Sequence, residues 1–297
     1  MIAACGFQAA YCFFVGNTAF VFWLFICIIR KNTMPPHLIF NGANSMNTAL
    51  FLGHGSPMNV LRDNAYNRAF RQMGERLPAP RAILCVSAHG YGNGTWVSSS
   101  PRPKLIYDFY GFPDALYQQQ YPVSGCPELA EEVCRLLPHA QLDPDMGLDH
   151  GVWTVLKPTF PNADIPVVQL SLDASLSSAE HFEQAKRLRP LREQGVLIVG
   201  SGNIVHNLRA YRPDAPPHKW AQAFRQNIND ALQQGEFDRI ADYLNQWGDV
   251  AGLSAPTPEH FLPLLYVLAQ HDDGQAVVLF NDEIVGGALS MTSVRVN

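Results

Sequence analysis

The stretch "ALFLGHGSPMNV", residues 49–60, sets a histidine between two glycines directly after a short apolar run. The same construction recurs in "AILCVSAHG", which carries His89, and in "VLIVGSGNIVH", which ends in His206. Imidazole ligates Zn, Fe, Cu and Ni, and it is also the side chain that exchanges protons near neutral pH. Three imidazoles delivered in the same way point to one shared site rather than to three unrelated loops. Gly53 and Gly55 let the backbone beside His54 approach a neighbour with no Cβ in the way.

Two further histidines have acidic neighbours. "GLDHGVW" contains Asp149 and His150, read as part of a loop after Gly147, and "TPEHFLPLLYVL" contains Glu259 and His260. His260 is predicted in the first turn of a helix, where the helix dipole disfavours imidazolium and so favours the neutral, ligating ring. Either Glu259 or His260 could supply a ligand there. His37, His139, His181, His218 and His271 fall in a linker, in loops or on helix surfaces and are expected to be solvated.

These residues need a frame. Apolar runs at 49–52, 82–87, 166–172, 196–200, 276–280 and 289–296 read as strands, several of them continuous enough to be covered on both faces. Amphipathic stretches at 64–76, 127–137, 178–193, 220–233, 237–246 and 258–269 read as helices, with Pro127 and Pro258 suited to a first turn and Thr257 to an N-cap. Strands alternating with helices predict an α/β layered domain with a mixed, mostly buried sheet flanked by helices. Ligands in such sheets bind beyond the carboxyl ends of the strands. His54, His89 and His206 stand there, so neighbouring strands would make them converge.

Composition narrows the field. The chain has 297 residues, 47% hydrophobic and 16% charged, with a formal net charge of -5, which fits a globular protein with a substantial core. No basic stripe with interleaved aromatics is present, which argues against nucleic acid as a partner. The six cysteines form no C-x-x-C pair and no disulfide framework, and they fit a reducing, cytoplasmic compartment; Cys85 reads as a small core residue. "GYGNG" at 90–94 is followed by strand and turn rather than the helix a dinucleotide loop requires, and "GSGN" around Ser201 has the wrong spacing for a nucleophile elbow.

Residues 1–29 are almost wholly apolar and precede Arg30, Lys31 and a Pro/Asn/Gly linker; they read either as a mistaken start upstream of Met46 or as a membrane anchor. The division expected is therefore 1–47 for the tract and linker and 48–297 for the catalytic domain. The only membrane partnership expected is anchoring through residues 1–29.

Taken together, "LFLGHGSPMNV", "ILCVSAHG", "YDFYGFPDALYQQQYPVSGCPELA", "GLDHGVWTVL", "PVVQLSLD", "VGSGNIVHNLR" and "PTPEHFLPLLYVL" resemble the DOPA-dioxygenase-type class III extradiol ring-cleaving dioxygenases, relatives of the catalytic subunit of protocatechuate 4,5-dioxygenase. The resemblance runs from about residue 48 to the C-terminus. It implies a single α/β domain, a mononuclear non-haem metal at the strand ends, and opening of a catechol such as DOPA beside its two hydroxyls with insertion of both atoms of O2. Fe(II) would serve catalysis, with Zn(II) present in the isolated protein. His54, His89 and His260 become metal ligands, the third position being a histidine in the DOPA-type branch where the broader class has a carboxylate. His206 becomes a fourth ligand or the acid/base, and His150 a residue on the substrate or oxygen side. Tyr107, Phe109, Tyr110, Phe112 and Tyr117 form an aromatic loop that could wall an aromatic substrate. A zinc-dependent hydrolase and a non-catalytic binding protein on the same fold are the alternatives. Retention of all five histidines argues against the second.

Overall fold

The computed structural model describes residues 48–297. The apolar tract, its linker and His37 lie outside the described residues. Among the described residues no helix is long and apolar enough to cross a membrane.

The continuous apolar runs become the middle of an eight-stranded sheet. In chain order the strands are β1 Ala49–Gly53, β2 Ala82–Gly92, β3 Thr95–Ser98, β4 Ala140–Asp143, β5 Val167–Asp173, β6 Val196–Gly202, β7 Val278–Phe280, β8 Ile284–Val285, β9 Leu289–Ser290 and β10 Ser293–Val296. The helices are α1 Ala65–Arg76, α2 Asp114–Tyr117, α3 Pro127–Leu136, α4 His150–Thr159, α5 Ser178–Lys186, α6 Pro190–Glu193, α7 Lys219–Gln234, α8 Phe237–Ala241, α9 Tyr243–Ser254 and α10 Leu262–Leu268.

The sheet order is β4-β3-β5-β2-β6-β1-β10-β7, and β8 pairs with β9 apart from it. The central strands β5, β2, β6 and β1 run parallel, while β3 and β10 join them antiparallel, so the sheet is mixed as predicted. Side chains alternate between two buried layers. Leu84, Val86 and Ile198 face one core with Phe224, Leu264 and Tyr266. Ile83, Cys85 and Leu197 face the other with Phe70, Val152 and Trp153. Cys85 is fully buried, as a core residue should be.

Several expectations need correction. His150 does not lie in a loop: it is the first residue of α4, and Asp149 caps that helix by accepting from the Val152 N–H. The predicted 178–193 helix breaks into α5 and α6, with Pro190 opening the second because its ring cannot continue the first. The predicted 258–269 helix starts at Leu262, so His260 stands in the turn before it, and Thr257 bonds the Glu259 carboxylate at 2.8 Å instead of capping. The predicted 289–296 strand divides into β9 and β10. His181 and His271 are buried, not solvated. His181 lies between the Tyr266 hydroxyl at 3.0 Å and the Asp173 carbonyl at 3.1 Å, and His271 reaches the Gln275 carbonyl at 2.7 Å. His139 is exposed, and His218 is half-buried and stacks on Trp220.

Candidate metal centre

β2, β6 and β1 are consecutive in the sheet, so the chain segments leaving their carboxyl ends emerge side by side. His54 follows β1 at once and its N–H bonds the Gly202 carbonyl at the end of β6. His89 lies near the end of β2, where the pairing with β5 shifts register between Val86 and Tyr91. His206 follows β6 and bridges to Leu289. His260 comes from the opposite direction. Its carbonyl accepts from the Asn203 N–H at 2.8 Å, and a Cβ on Gly202 would overlap that carbonyl. Glycine at 202 is thus what lets the His260 segment close on the strand end. Gly151 does the same for α4, since a Cβ there would press on Ser87 Oγ and the His89 ring.

Three rings meet as a nearly equilateral triangle. Their centroids are 5.2 Å apart for His54–His89, 5.2 Å for His54–His260 and 5.1 Å for His89–His260. A nitrogen from each lies within 4.8 Å of the others. Each ring also has an Nδ1 neighbour on its outer side: Ser201 Oγ at 3.0 Å from His54, Asp108 Oδ2 at 3.5 Å from His89, and Glu259 Oε1 at 3.1 Å from His260. The Nε2 atoms of His89 and His260 are buried with no hydrogen-bond partner among the described residues. Buried nitrogens left bare beside anchored ones are what a metal site requires, because ligating histidines are held through their second nitrogen. The residues present therefore fit a single mononuclear non-haem metal. Two flanking groups, His89 with Asp108 and His150, and His206 with Glu259 and His260, also bring ligand atoms within 4.8 Å, but each shares a ring with the triangle.

His150 and His206 stand beside this triangle. His150 lies 3.9 Å from His89 between ring centroids, and its Nδ1 and backbone N–H each lie 2.9 Å from Asp108 Oδ1. Asp108 is brought there because Ile106 and Leu148 pair their backbones and Trp153 of α4 donates to the Ile106 carbonyl. His206 stacks face to face on His260, with centroids 3.4 Å apart and planes within 6°.

The electrostatics favour neutral rings. Burial, reinforced by neighbouring imidazoles, holds His54 and His260 well below the ordinary imidazole range. Burial takes His89 down to about 3, with His150 adding to the effect and Asp108 opposing it, and takes His206 to about 4 against the pull of Glu259. Burial also pushes Asp149 up to about 6 although Ser87 donates to it. Asp108 stays below its usual range, since the bond from and charge of His150 outweigh its own burial.

A pH dependence follows for the metal-stripped protein. The four histidines have depressed folded values, so their contribution is present above the unfolded value of 6.5 and is lost as pH falls through the folded ones. Asp149 works the other way, its raised value contributing stability that is lost as pH rises through about 6. Four groups outweigh one, and the urea midpoint in excess chelator is expected to fall steadily from pH 7 toward pH 4. A midpoint that is flat or rises over that interval would contradict this account of the site.

A cavity of about 390 Å³ opens onto the five imidazoles and is otherwise lined chiefly by Pro57, Phe109, Phe112, Leu208, Tyr211 and Leu289. Of the predicted aromatic loop, Phe109 and Phe112 reach it. Tyr107 packs behind Phe109 against Trp153, and Tyr110 is 91% exposed. The structure thus brings together all five singled-out histidines. Sequence reasoning missed Asp108 and Ser201. The first is one carboxylate in an aromatic run, and the second is one serine in a strand, with no local sign of what it touches.

The family model described as "Catalytic LigB subunit of aromatic ring-opening dioxygenase" matches residues 48–286. The chain is 46% identical over 256 residues to a "4,5-DOPA dioxygenase extradiol" of Escherichia coli (strain K12), covering 84% of this chain and 94% of that one. It is 37% identical over 234 residues to a protein of the same description from Portulaca grandiflora, covering 74% of this chain and 84% of the other. The crystal structure of an uncharacterized Escherichia coli K12 protein superposes with a TM-score of 0.74 at 42% identity, covering 84% of this chain and 99% of that one.

Proposed function

The chain belongs to the family of the catalytic LigB subunit of aromatic ring-opening dioxygenases, and we propose that it opens a catechol of the DOPA type at a mononuclear site held by His54, His89 and His260. The enzyme is an extradiol dioxygenase acting on an aromatic diol and O2. Both oxygen atoms enter the ring-opened product, so no external reductant is consumed. The observation that carries the site assignment is the triangle of imidazoles with the bare, buried Nε2 atoms of His89 and His260.

The third ligand is assigned to His260 rather than Glu259. The Glu259 carboxylate is already engaged by His260 Nδ1 and by the Thr257 hydroxyl, which suits an outer partner that orients the ring. Fe(II) is assigned as the catalytic metal and Zn(II) as the ion found on isolation. An all-histidine set accepts either, but zinc has no redox chemistry. When bound, the metal supplies a cationic centre that gathers catechol and dioxygen and passes electron density between them.

The chain's own residues do the remaining work. Phe109 and Phe112 flank the cavity and present apolar surface to an aromatic ring while excluding water. A catechol hydroxyl has an ordinary pKa near ~10, so its proton needs a positioned acceptor. His206 is assigned that proton, and His150, steadied by Asp108, the face of the substrate or oxygen beside His89. His206 is assigned a ligand role only secondarily. Among the described residues no Asp, Glu, Lys or Arg side chain lines the cavity, so the amino-acid end of DOPA is directed toward Leu208, which is 62% exposed.

The test is anaerobic loading with Fe(II), then addition of DOPA in air-saturated buffer. One O2 is expected to disappear per yellow ring-opened product formed. Absence of O2 uptake across a panel of catechols, with iron bound, would remove the proposed function and favour hydrolytic or binding roles.

A further inference from the structure

We propose that Ser201 is a positioning residue that fixes the tautomer of His54, so that Nδ1 carries the ring proton and Nε2 is left bare toward the metal. This rests on the reading of His54 as a ligand. Ser201 lies in β6, fully buried, in register with Leu52 of β1 on one side and Ser87 of β2 on the other. Its Oγ stands 2.6 Å from the Gly151 carbonyl oxygen and 3.0 Å from His54 Nδ1.

A hydroxyl has one proton to give. The Gly151 carbonyl can only accept, so the Ser201 proton goes to it. The face that Ser201 turns to His54 is therefore a lone pair, and only an Nδ1–H satisfies it. In a neutral imidazole the proton on Nδ1 leaves Nε2 as the acceptor. A chain of two bonds, His54 Nδ1–H to Ser201 Oγ–H to the Gly151 carbonyl, thus carries orientation from the first turn of α4 to the ring. The other two rings of the triangle have carboxylates, Asp108 and Glu259, at the corresponding atom. A carboxylate accepts whichever proton is offered, but a serine is ambiguous until its own proton is committed. Gly151 commits it. The paired Ser87 hydroxyl is committed elsewhere, donating to Asp149 Oδ1 at 2.7 Å.

The experiment is long-range imidazole ¹⁵N NMR of the folded, metal-free protein, together with Zn(II) affinity by indicator competition. The wild-type protein, Ser201→Ala, Ser201→Thr, Ser87→Ala and His54→Ala are compared. His54 of the wild type is expected in the Nδ1–H form. Ser201→Ala is expected to populate the other tautomer and to weaken Zn(II) binding by roughly 10–100-fold, the usual effect of losing a partner that orients a ligand. Ser201→Thr, which keeps the hydroxyl, is expected to restore both, and Ser87→Ala to leave the tautomer unchanged. An Nε2–H form in the wild type overturns the proposal even if Ser201→Ala fails to fold. Unchanged tautomer and affinity in folded Ser201→Ala overturn it too, as does an equal tautomer shift in Ser87→Ala. Undiminished Zn(II) binding by His54→Ala instead removes the ligand reading on which the proposal stands.

Discussion

Alanine at His54, at His89 or at His260 is expected to leave the protein folded and nearly free of metal. The fold should survive because the three rings sit at strand ends and in a turn, while the sheet is held by two apolar layers on which they do not depend. The metal should not survive. Catalytic sites ordinarily hold their ion with three protein ligands, and removing one leaves two nitrogens and a gap that water fills poorly. The loss of affinity should exceed the roughly 10–100-fold that outer partners cost. Metal content after purification and far-UV circular dichroism measure the two halves of the expectation. Glu259→Gln separates ligand from outer partner: it is expected to keep metal with affinity lowered only into that roughly 10–100-fold range. If Glu259→Ala strips the ion while His260→Ala retains it, the carboxylate is the third ligand and His260 is the bystander.

The strand-end histidines were legible because their signal is local. An apolar run, a small residue and a histidine can be read from one short stretch of sequence, and the expectation needed only β1, β6 and β2 to be neighbours, which they are. What was illegible is what depends on contact between distant segments. Helix α4 has almost every residue buried and carries Pro158 inside it, so "HGVWTVLKPT" shows no amphipathic period and has a residue that argues against a helix. Its one local signal was Asp149 at the cap position. Asp108 looks like any loop acid until the Ile106–Leu148 pairing places it against His150 and His89. His181 reads as a solvated helix residue because its partners, Tyr266 and the Asp173 carbonyl, come from other elements. The two carboxylates beside the triangle also bear on the departure from the 2-His-1-carboxylate pattern. With His54, His89 and His260 as the proposed ligands, the Asp108 and Glu259 carboxylates stand behind two of the rings, beside their Nδ1 atoms.

Glutamine at His206, in protein loaded with Fe(II), is expected to keep near-normal iron and catechol binding and to turn over at least about a hundredfold more slowly. The geometry separates these outcomes. The lone pair on Nε2 of His260, which would hold the metal, points outward in the plane of that ring. The His206 ring is stacked on it with centroids 3.4 Å apart, so its own in-plane lone pair lies in a parallel plane and does not converge with that of His260. In this position His206 is poorly placed to ligate, yet it borders the cavity that would hold the catechol. It can take a phenolic proton and later return it, with the Glu259 carboxylate near enough to stabilise the charged ring in between. A positioned acid/base typically contributes about 10²–10⁴-fold in rate. Glutamine roughly fills the imidazole's space and still hydrogen-bonds, but it cannot exchange a proton, so it tests that step while sparing the shape of the cavity. His206 is also the residue that would serve as a fourth ligand to zinc when no substrate is bound, and for that reason the decisive measurement is made with Fe(II) and catechol present. Iron content falling in step with rate would make His206 an essential ligand. The proton would then have to pass to His150, which Asp108 already holds beside His89, and His150→Gln would become the variant that keeps its metal and loses turnover.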